Sequence, residues 1–357
     1  MAKLLVFISL LLYRSQCNPA ITENKPRTVT FGERVYTIQK SLGDRVGIVT
    51  NSDGDKLLVK EVHFDNCDQN GFLTSMSHLA KAKERYAVKM HQYYFANCNG
   101  YMIFKFMPAG DMRQLLRYTG GKLGNEKAVR FMAINMVAAM IHMHSIVGAN
   151  GYLKPDEDFV LDISGEPMVS DFGYSRIYKK YSADYVPYYM APEVLQGNIP
   201  TKAADWYSLG AFLWELVTGS PPYSKEQLNK FKTQGWKFTQ AFGNQSQISD
   251  VHLKSLLVGF LDISATKRLG AGNNNIKDGS MQVQGHPYFA DVSWVDVTNK
   301  EHMSPPYAPK IEKGNFLKYD DTIAKKELKI PILDHEHDTH MQNAPEIEWP
   351  GDKIILD

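Results

Sequence analysis

The chain of 357 residues carries 40 Lys and Arg against 39 Asp and Glu, a net charge of +1, and 43% of its residues are hydrophobic. The length and the apolar share support one large or two small domains with a sizeable core, while the balanced charge argues against a nucleic-acid binder or a polybasic membrane protein. The three cysteines exclude a disulfide scaffold, so a globular protein of mixed α and β content is predicted.

Residues 1–17 have the pattern of a secretory signal peptide. Lys3 precedes an uncharged apolar run from Leu4 to Tyr13, and Ser15 and Cys17 stand where a cleavage site would follow. The run is shorter than the roughly 20 apolar residues that a transmembrane helix needs. We therefore predict a protein that is secreted or held in the secretory lumen, without a membrane span in the mature chain. The alternative is a cytoplasmic protein in which this segment is a buried helix or strand.

Two cysteines remain if Cys17 leaves with the signal peptide. Free buried thiols at Cys67 and Cys98 are favoured, although an oxidising lumen would also allow them to pair. Asn244 begins the one Asn-x-Ser/Thr sequence of the chain, which a secreted protein could glycosylate.

The first third of the chain reads as a small β-rich unit with one helix. Residues 18–30 are a polar lead-in, and from 31 to about 62 β-rich segments alternate with turns. A helix is predicted around 71–85, and two more strands around 88–94 and 101–106.

The remainder is mostly helical. Apolar residues recur at helical spacing between Val129 and Met143, as in a core helix. A helix over 203–218 is apolar on nearly all sides, which predicts that it is buried. From about residue 304 the chain is rich in proline and charge and resembles an extended tail.

Three short motifs follow one another in the order found in protein kinases. Lys60 ends a predicted strand, an Asp-Phe-Gly triplet begins at Asp171, and an Ala-Pro-Glu triplet ends at Glu193. Each motif is weak alone, but in this order, on a β-rich and then helical chain, they form the protein-kinase signature set. The chain therefore resembles the protein kinases, from about residue 31 to 319.

Within that superfamily the chain is similar to the AGC group, and in particular to the cyclic-AMP-dependent protein kinases. The segment from Asp205 to Gly210 resembles the start of that group's buried helix, and Thr-Lys-Arg-Leu-Gly at 266–270 resembles its T-K-R-F-G. The resemblance implies structural roles for Asp205, Glu193 and Arg268, with Arg268 pairing with Glu193.

The fold that the resemblance implies is α+β: the bilobal protein-kinase fold. A β-rich N-terminal lobe with one main helix would span 31–106, and a mostly helical C-terminal lobe 107–289. Residues 290–357 would form an AGC-like tail.

The nucleotide site departs from the family pattern at its phosphate loop. Phosphoryl transfer needs a loop over the phosphates, a lysine held by a glutamate, a base and two metal ligands. The resemblance places the loop at 42–49, where it is one residue short, lacks the middle glycine and carries Asp44 in the path of the phosphates. It implies a vestigial nucleotide site made of Gly43, Gly47, Val49 and Lys60.

Two positions around Lys60 depart as well. Leu58 stands where the family has an alanine against the adenine ring, so it adds bulk to the base slot. Counting back without gaps from Val88 puts Ser75 at the helix position of the glutamate that pairs with the lysine. We therefore expect weak nucleotide binding and no Lys–Glu ion pair.

The catalytic loop departs furthest. Tyr152 replaces the catalytic aspartate of Y-R-D-L-K-P-E-N, and Gly151 replaces its arginine neighbour. A phenol, with a reference pKa of about 10, cannot replace a carboxylate base that contributes roughly 10²–10⁴-fold, so no catalytic residue is expected to be intact. Counting back from Asp171 puts Asp158 at the metal-binding asparagine, and both carboxylates would bind Mg²⁺ if Mg-ATP binds.

The side that would face a peptide keeps its acids. Asp111, Asp156 and Glu215 fall on positions where the resemblance implies recognition of basic residues. They are either solvated surface acids or a groove that still binds a protein or an arginine-bearing peptide. Retention of all three beside a degenerate loop favours the groove.

The sequence thus supports three hypotheses. The first is a secreted or lumenal pseudokinase that acts by binding, as a scaffold, decoy or allosteric activator. The second is a divergent Ser/Thr kinase in which Asp171 and Asp158 hold Mg-ATP and another acid, such as Glu61 or Glu84, holds Lys60. The third is an intracellular relative of the cyclic-AMP-dependent kinases.

Overall fold

The computed structural model describes residues 28–31, 34–41, 46–64, 67–151, 153–162, 164–170, 188–228, 247–272 and 276–299. All structural statements refer to these residues. Several predictions fall outside them: the signal peptide, the lead-in up to residue 27, Gly43, Asp44, Tyr152, Asp171, Asn244 and the tail from residue 300.

The N-terminal part is one antiparallel sheet with a single helix packed against it, in the strand order β1-β2-β3-β4-β6-β5. Its elements are β1 (Thr28–Phe31), β2 (Arg34–Ser41), β3 (Val46–Thr50), β4 (Lys56–His63), α1 (Gln69–Leu79), β5 (Met90–Ala96) and β6 (Asn99–Lys105). The tight β3–β4 turn forms because the Asn51 side chain accepts hydrogen bonds from the backbone of Asp53 and Asp55 and Gly54 adopts a φ of 89°.

The C-terminal part is mostly helical. Its described elements are α2 (Met112–Tyr118), α3 (Glu126–Ile146), α4 (Pro155–Asp158), β7 (Phe159–Leu161), β8 (Pro167–Val169), α5 (Pro192–Leu195), α6 (Lys202–Thr218), α7 (Val251–Phe260), α8 (Ile276–Gln284), a 3-10 turn (Pro287–Phe289) and α9 (Trp294–Asn299). The expected α+β, bilobal architecture is therefore confirmed.

The long helices of this part form its core. The methionines of α3 are buried, and α6 is buried nearly all round, as their sequences predict. Among the described residues, α3 is the one helix long and apolar enough to cross a bilayer by length and composition. Most of it is buried inside the protein, which is typical of an internal core helix.

Two apolar clusters lie on opposite faces of the large sheet, because successive side chains of a strand point to opposite sides. The main core contains Val62, Met102 and Phe104 together with α1 and the helices of the second lobe. The smaller cluster covers the outer face. It consists of Tyr36, Val49, Leu57, Val59, Tyr94, Ala96, Tyr101 and Ile103.

Helix α1 is shorter than the predicted 71–85. It ends at Leu79, because the chain beyond it joins the second lobe. The backbone N–H of Lys83 donates to Nε2 of His142 at 2.8 Å. The N–H of Val88 donates to the carbonyl of Val169, and the N–H of Val169 donates to the carbonyl of Tyr86.

The expectation of two free buried thiols is wrong. Cys67 and Cys98 form a disulfide, with their Cα atoms 4.3 Å apart. The β5–β6 turn carries Cys98 alongside the residue that precedes the Asp68 cap of α1, and the N–H of Phe64 donates to the carbonyl of Cys98 at 2.8 Å. The disulfide therefore ties the start of α1 to the sheet.

Candidate functional site

Strand register sets which side chains line the cleft face of the sheet. Directly opposite residues of antiparallel strands share a face, and Leu58 lies opposite both Ile48 and Phe104. Leu58 is also two residues from Lys60, so all four point to the same side. The large apolar side chains of Ile48, Leu58 and Phe104 thus form a row beside Lys60. Leu58 therefore lies on the face where the sequence predicted that it would add bulk.

Val49 does not belong to the cleft, and its assignment to the nucleotide site is wrong. It lies opposite Leu57 and is buried in the cluster on the outer face. Ile48 occupies the cleft-facing position instead. The phosphate loop is one residue short, and a shift of one residue in a strand moves a side chain to the opposite face. Gly47 lies in β3, opposite Val59.

Phe104 is a cleft residue that the sequence alone did not reveal. It lies on β6 and is buried in the main core. Its place beside Leu58 depends on the pairing of β4 with β6, strands that are separated in the sequence by α1. A long hydrophobic strand predicts that such a residue is buried, but not which neighbour it faces.

Helix α1 supplies no carboxylate to the cleft. None of its 11 residues is Asp or Glu. The hydroxyl of Ser75, at the position where the family has its glutamate, donates to the carbonyl of Gly71 within the same helix at 3.1 Å.

The two acids considered as replacements lie outside α1. Glu61 follows Lys60 directly on β4, so the two side chains point to opposite faces of the sheet. Glu84 forms an ion pair with Lys89 instead, with 3.1 Å between Oε1 and Nζ.

Hydrogen bonds to the buried side chain of Asp205 hold the backbone at the start of the predicted catalytic loop. This fully buried carboxylate accepts hydrogen bonds from the backbone N–H of Asn150 (2.7 Å) and of Gly151 (2.6 Å) and lies 2.9 Å from Nε2 of His144. The segment just before Tyr152 is thus held in place by buried polar contacts, although the base itself has been replaced.

Gly151 has a conformation that excludes the family's arginine. Its φ is +80°, a region that L side chains rarely adopt. A Cβ atom added there would lie 2.6 Å from both Cβ and Cγ of Pro200, well inside van der Waals contact. Pro200 therefore occupies the space that a side chain at position 151 would need.

Asp158 lies next to the segment that leads to Asp171. Its carboxylate accepts a hydrogen bond from the N–H of Lys154 at 2.7 Å. Its carbonyl accepts from the N–H of Ser170 at 2.8 Å and from the Ser170 hydroxyl at 3.1 Å. Asp171 follows Ser170 in the sequence but lies outside the described residues, so metal binding by Asp158 and Asp171 stays a prediction.

The pairing of Arg268 with Glu193 is present. The guanidinium donates two parallel hydrogen bonds to the carboxylate, at 2.7 and 2.9 Å, and a third bond to the carbonyl of Ala203. Arg268 is buried and stacks over the ring of Tyr207. The bidentate buried pair ties α5 to the segment that follows α7, and the bond to Ala203 ties that segment to α6.

Asp111 and Glu215 are acids whose burial disfavours the charged form. Asp111 caps α2 by accepting from the N–H of Gln114, and burial raises the pKa of Asp111 to about 6. Burial also raises the pKa of Glu215, whose carboxylate accepts a hydrogen bond from the Tyr189 hydroxyl at 2.5 Å.

Asp156 is the most buried of the three groove acids, with 1% of its side chain exposed. Within the described part of the chain, neither of its oxygens accepts a hydrogen bond of good geometry. Nη2 of Arg113 contacts the Asp156 carboxylate and lies 3.5 Å from Glu157.

Arg113 is thus a groove residue that sequence reasoning missed. Its charge also acts on Asp111 and Glu215, where it opposes the rise in pKa caused by burial. The groove that was predicted from three acids contains a cation of the protein itself. Its position two residues after Asp111 was a signal in the sequence, but only the fold shows that it reaches Asp156.

Comparison with known proteins agrees with this architecture. A model of the protein kinase domain matches residues 41–289. The chain is 27% identical over 313 residues to serine/threonine-protein kinase YPK2/YKR2 of Saccharomyces cerevisiae, covering 83% of this chain and 44% of that protein. It is 28% identical over 307 residues to the cAMP-dependent protein kinase catalytic subunit of Dictyostelium discoideum, covering 82% and 44%.

A human protein kinase shows a similar level of identity. The identity with the cAMP-dependent protein kinase catalytic subunit PRKX of Homo sapiens is 28% over 242 residues, covering 66% of this chain and 64% of that protein. The chain therefore spans less than two thirds of the length of each of these curated relatives.

Proposed function

Since the chain belongs to the protein kinase family, we propose that it is a pseudokinase of the secretory pathway. It acts by binding another protein, as a scaffold, decoy or allosteric activator, and does not transfer phosphate. The relatives that it resembles are named as protein kinases, and the proposal is that the fold is retained without their chemistry.

One observation carries the proposal: α1 contains no carboxylate. Phosphoryl transfer in a protein kinase needs a glutamate on this helix to orient the strand lysine. Ser75 stands in its place and is bonded to its own helix, Glu61 points to the other face of the sheet, and Glu84 is paired with Lys89.

Two further features support the loss of catalysis. Tyr152 stands at the base position, and a neutral phenol does not accept a proton from a substrate hydroxyl at neutral pH. The row of Ile48, Leu58 and Phe104 adds bulk to the face of the sheet where an adenine ring would lie. These residues do not fit a tightly bound Mg-ATP, which would be the phosphate donor if transfer occurred.

Secretion is supported by two independent features. Residues 1–17 have the signal-peptide pattern. The disulfide between Cys67 and Cys98 is of a kind that persists in oxidising compartments and is rare in the cytosol. Intact-mass analysis of the natural protein tests the location, because a mature chain that still carries Met1 or Ala2 would contradict it.

The partner that we propose is a protein that presents a basic segment to Asp111, Asp156 and Glu215. Carboxylates recognise guanidinium groups through charge-assisted, often bidentate hydrogen bonds. Burial disfavours the charged forms of Asp111 and Glu215, so several basic residues must act together, and binding should weaken with salt.

Nucleotide binding and phosphate transfer are the direct test. We expect no thermal stabilisation of the purified chain by millimolar ATP, with or without Mg²⁺, and no transfer of labelled phosphate to basic peptides. Restoring Tyr152→Asp alone should not produce activity. Turnover by the natural sequence that Asp171→Ala abolishes would refute the proposal.

A divergent active kinase is the second candidate, and the position of Asp158 favours it. The carbonyl of Asp158 accepts hydrogen bonds from the N–H and hydroxyl of Ser170, the residue that precedes Asp171 in the sequence, and carboxylates are ligands that Mg²⁺ accepts. Stabilisation by Mg²⁺ and ATP that is lost in both Asp158→Ala and Asp171→Ala would support this candidate.

A further inference from the structure

The acidic groove is organised around one basic side chain of the protein itself. Arg113 contacts the carboxylate of Asp156 and lies 3.5 Å from Glu157. Its charge also acts on Asp111 and Glu215. Arg113 therefore contacts Asp156 directly and lowers the pKa values of Asp111 and Glu215 only through its charge.

Burial explains why Asp156 needs such a partner. Only 1% of the Asp156 side chain is exposed, and neither oxygen accepts a hydrogen bond from the described residues. A buried carboxylate without hydrogen bonds is strongly unfavourable unless a cation compensates it. The site therefore favours occupation by a guanidinium, whether from Arg113 or from another molecule.

Arg113 itself is not buried. Its side chain is 45% exposed, it stands near the start of α2, and an arginine can move its head group into water while its stem stays in place. Asp156 is fixed, since it belongs to α4 directly behind the anchored catalytic loop. The cation is thus the movable member of the pair.

From these contacts we infer that Arg113 is an internal ligand of the groove and determines its specificity. An incoming arginine must displace it from Asp156, so only a partner with several basic residues competes effectively. A lysine displaces it poorly, because an ammonium lacks the planar fork that engages a carboxylate bidentately. This inference rests on the proposed binding role of the groove.

The test is calorimetric titration of the full chain with hexa-arginine and hexa-lysine peptides. Arg113→Gln should bind hexa-arginine about tenfold more tightly than the natural protein, because the competing cation is gone. Arg117→Gln is the matched control. It removes the same charge from the exposed face of the same helix, and Arg117 also acts on Asp111 at a distance, but it makes no described ion pair with Asp156. The comparison therefore isolates the direct contact with Asp156.

A second variant guards against a folding defect, since Arg113→Gln leaves Asp156 without its cation. Arg113→Lys keeps the charge, and its affinity for hexa-arginine should fall between those of the natural protein and Arg113→Gln. Thermal unfolding of each variant shows whether it is folded, and if Arg113→Gln is not, the Arg113→Lys result decides.

The outcomes separate this inference from the proposed function. An Arg113→Gln affinity that is unchanged, lower, or raised no more than in Arg117→Gln overturns the inference. The triple variant Asp111→Asn, Asp156→Asn and Glu215→Gln tests the groove itself. If it binds hexa-arginine as well as the natural protein does, the proposed groove is wrong, whatever Arg113 does. If only Arg113→Gln binds the peptide, the inference stands and the natural protein is not an arginine binder.

Discussion

The N-terminal sheet with α1 and the helical C-terminal part differ in how many of the polar residues expected of a kinase they contain. In the C-terminal part, Asp205 still holds the backbone of the catalytic loop, and Arg268 still forms its bidentate pair with Glu193. In the N-terminal part, α1 contains no carboxylate, and Leu58 lies in a row with Ile48 and Phe104.

The difference follows from burial. Removing one partner of a buried polar contact leaves an unpaired group and destabilises the fold. A catalytic side chain that faces a solvent-filled cleft can be replaced without that penalty. The polar residues that survive here are therefore those on which folding depends, and they are poor indicators of catalysis.

The largest expected loss of stability comes from removing the buried Arg268–Glu193 pair. Arg268→Ala should lower the free energy of unfolding by about 3–5 kcal/mol, because Glu193 would be left without its buried partner. Ser75→Ala is the control in the other region, and it should change stability by less than about 0.5 kcal/mol, since its hydroxyl bonds only to its own helix. Chemical denaturation of both variants measures the difference. Equal losses would show that the two regions do not differ in this way.

Removing the disulfide should cause the next largest loss of stability. Cys67→Ser with Cys98→Ser should lower the free energy of unfolding by about 3–4 kcal/mol, the chain-entropy value for a separation of 31 residues. Denaturation with and without reductant measures this effect. The reductant should destabilise the natural protein and leave the double variant unchanged. A natural protein that is insensitive to reductant would contradict the disulfide.

Two glycines of the same loop region sharpen the comparison further. Gly151→Ala should destabilise by about 2–4 kcal/mol, since it combines positive-φ strain with a clash against Pro200. Gly148 also has positive φ (73°), but a Cβ there would meet nothing within 4 Å. Gly148→Ala should therefore lose only about 1–2 kcal/mol.

Pro200→Gly provides the check on this explanation. It removes the two atoms that the new Cβ would approach, so it should recover part of the loss in Gly151→Ala and none in Gly148→Ala. Identical losses at both glycines would show that the loop is not closed against Pro200.

The smallest expected effect concerns Asp111 and pH. Burial raises the pKa of Asp111 in the folded state to about 6, so the folded protein holds this proton more tightly than the unfolded chain. The stability that this provides is complete below about pH 4 and is lost as the pH rises through 6.

Asp111→Asn keeps a good helix cap and removes the titration. The variant should therefore be more stable than the natural protein by about 1–2 kcal/mol at pH 8, and this advantage should shrink towards pH 4. Denaturation curves across this range measure it, with Asp53→Asn in the exposed β3–β4 turn as the control for net charge. An advantage that does not vary with pH would contradict a raised pKa.

The sequence predicted those features that depend on residues close together in the chain. The strands and the core helices follow from periodicity, and the Arg268–Glu193 pair follows from the resemblance of two contiguous motifs to those of the AGC kinases. Ile48, Phe104 and the disulfide do not, because each depends on how distant segments pair. One residue of strand register decides whether Ile48 or Val49 faces the cleft, and Cys67 and Cys98 meet only after the β5–β6 hairpin has formed.

Helix α1 is held at both ends, and this has a consequence for any partner that docks on it. The disulfide fixes its start, and the N–H of Lys83, just beyond its end, binds Nε2 of His142. Burial lowers the pKa of His142 to about 4, so the ring stays neutral and can accept this bond at physiological pH. The conformational entropy of the helix is thus lost during folding, and a partner that binds its exposed face does not have to order it.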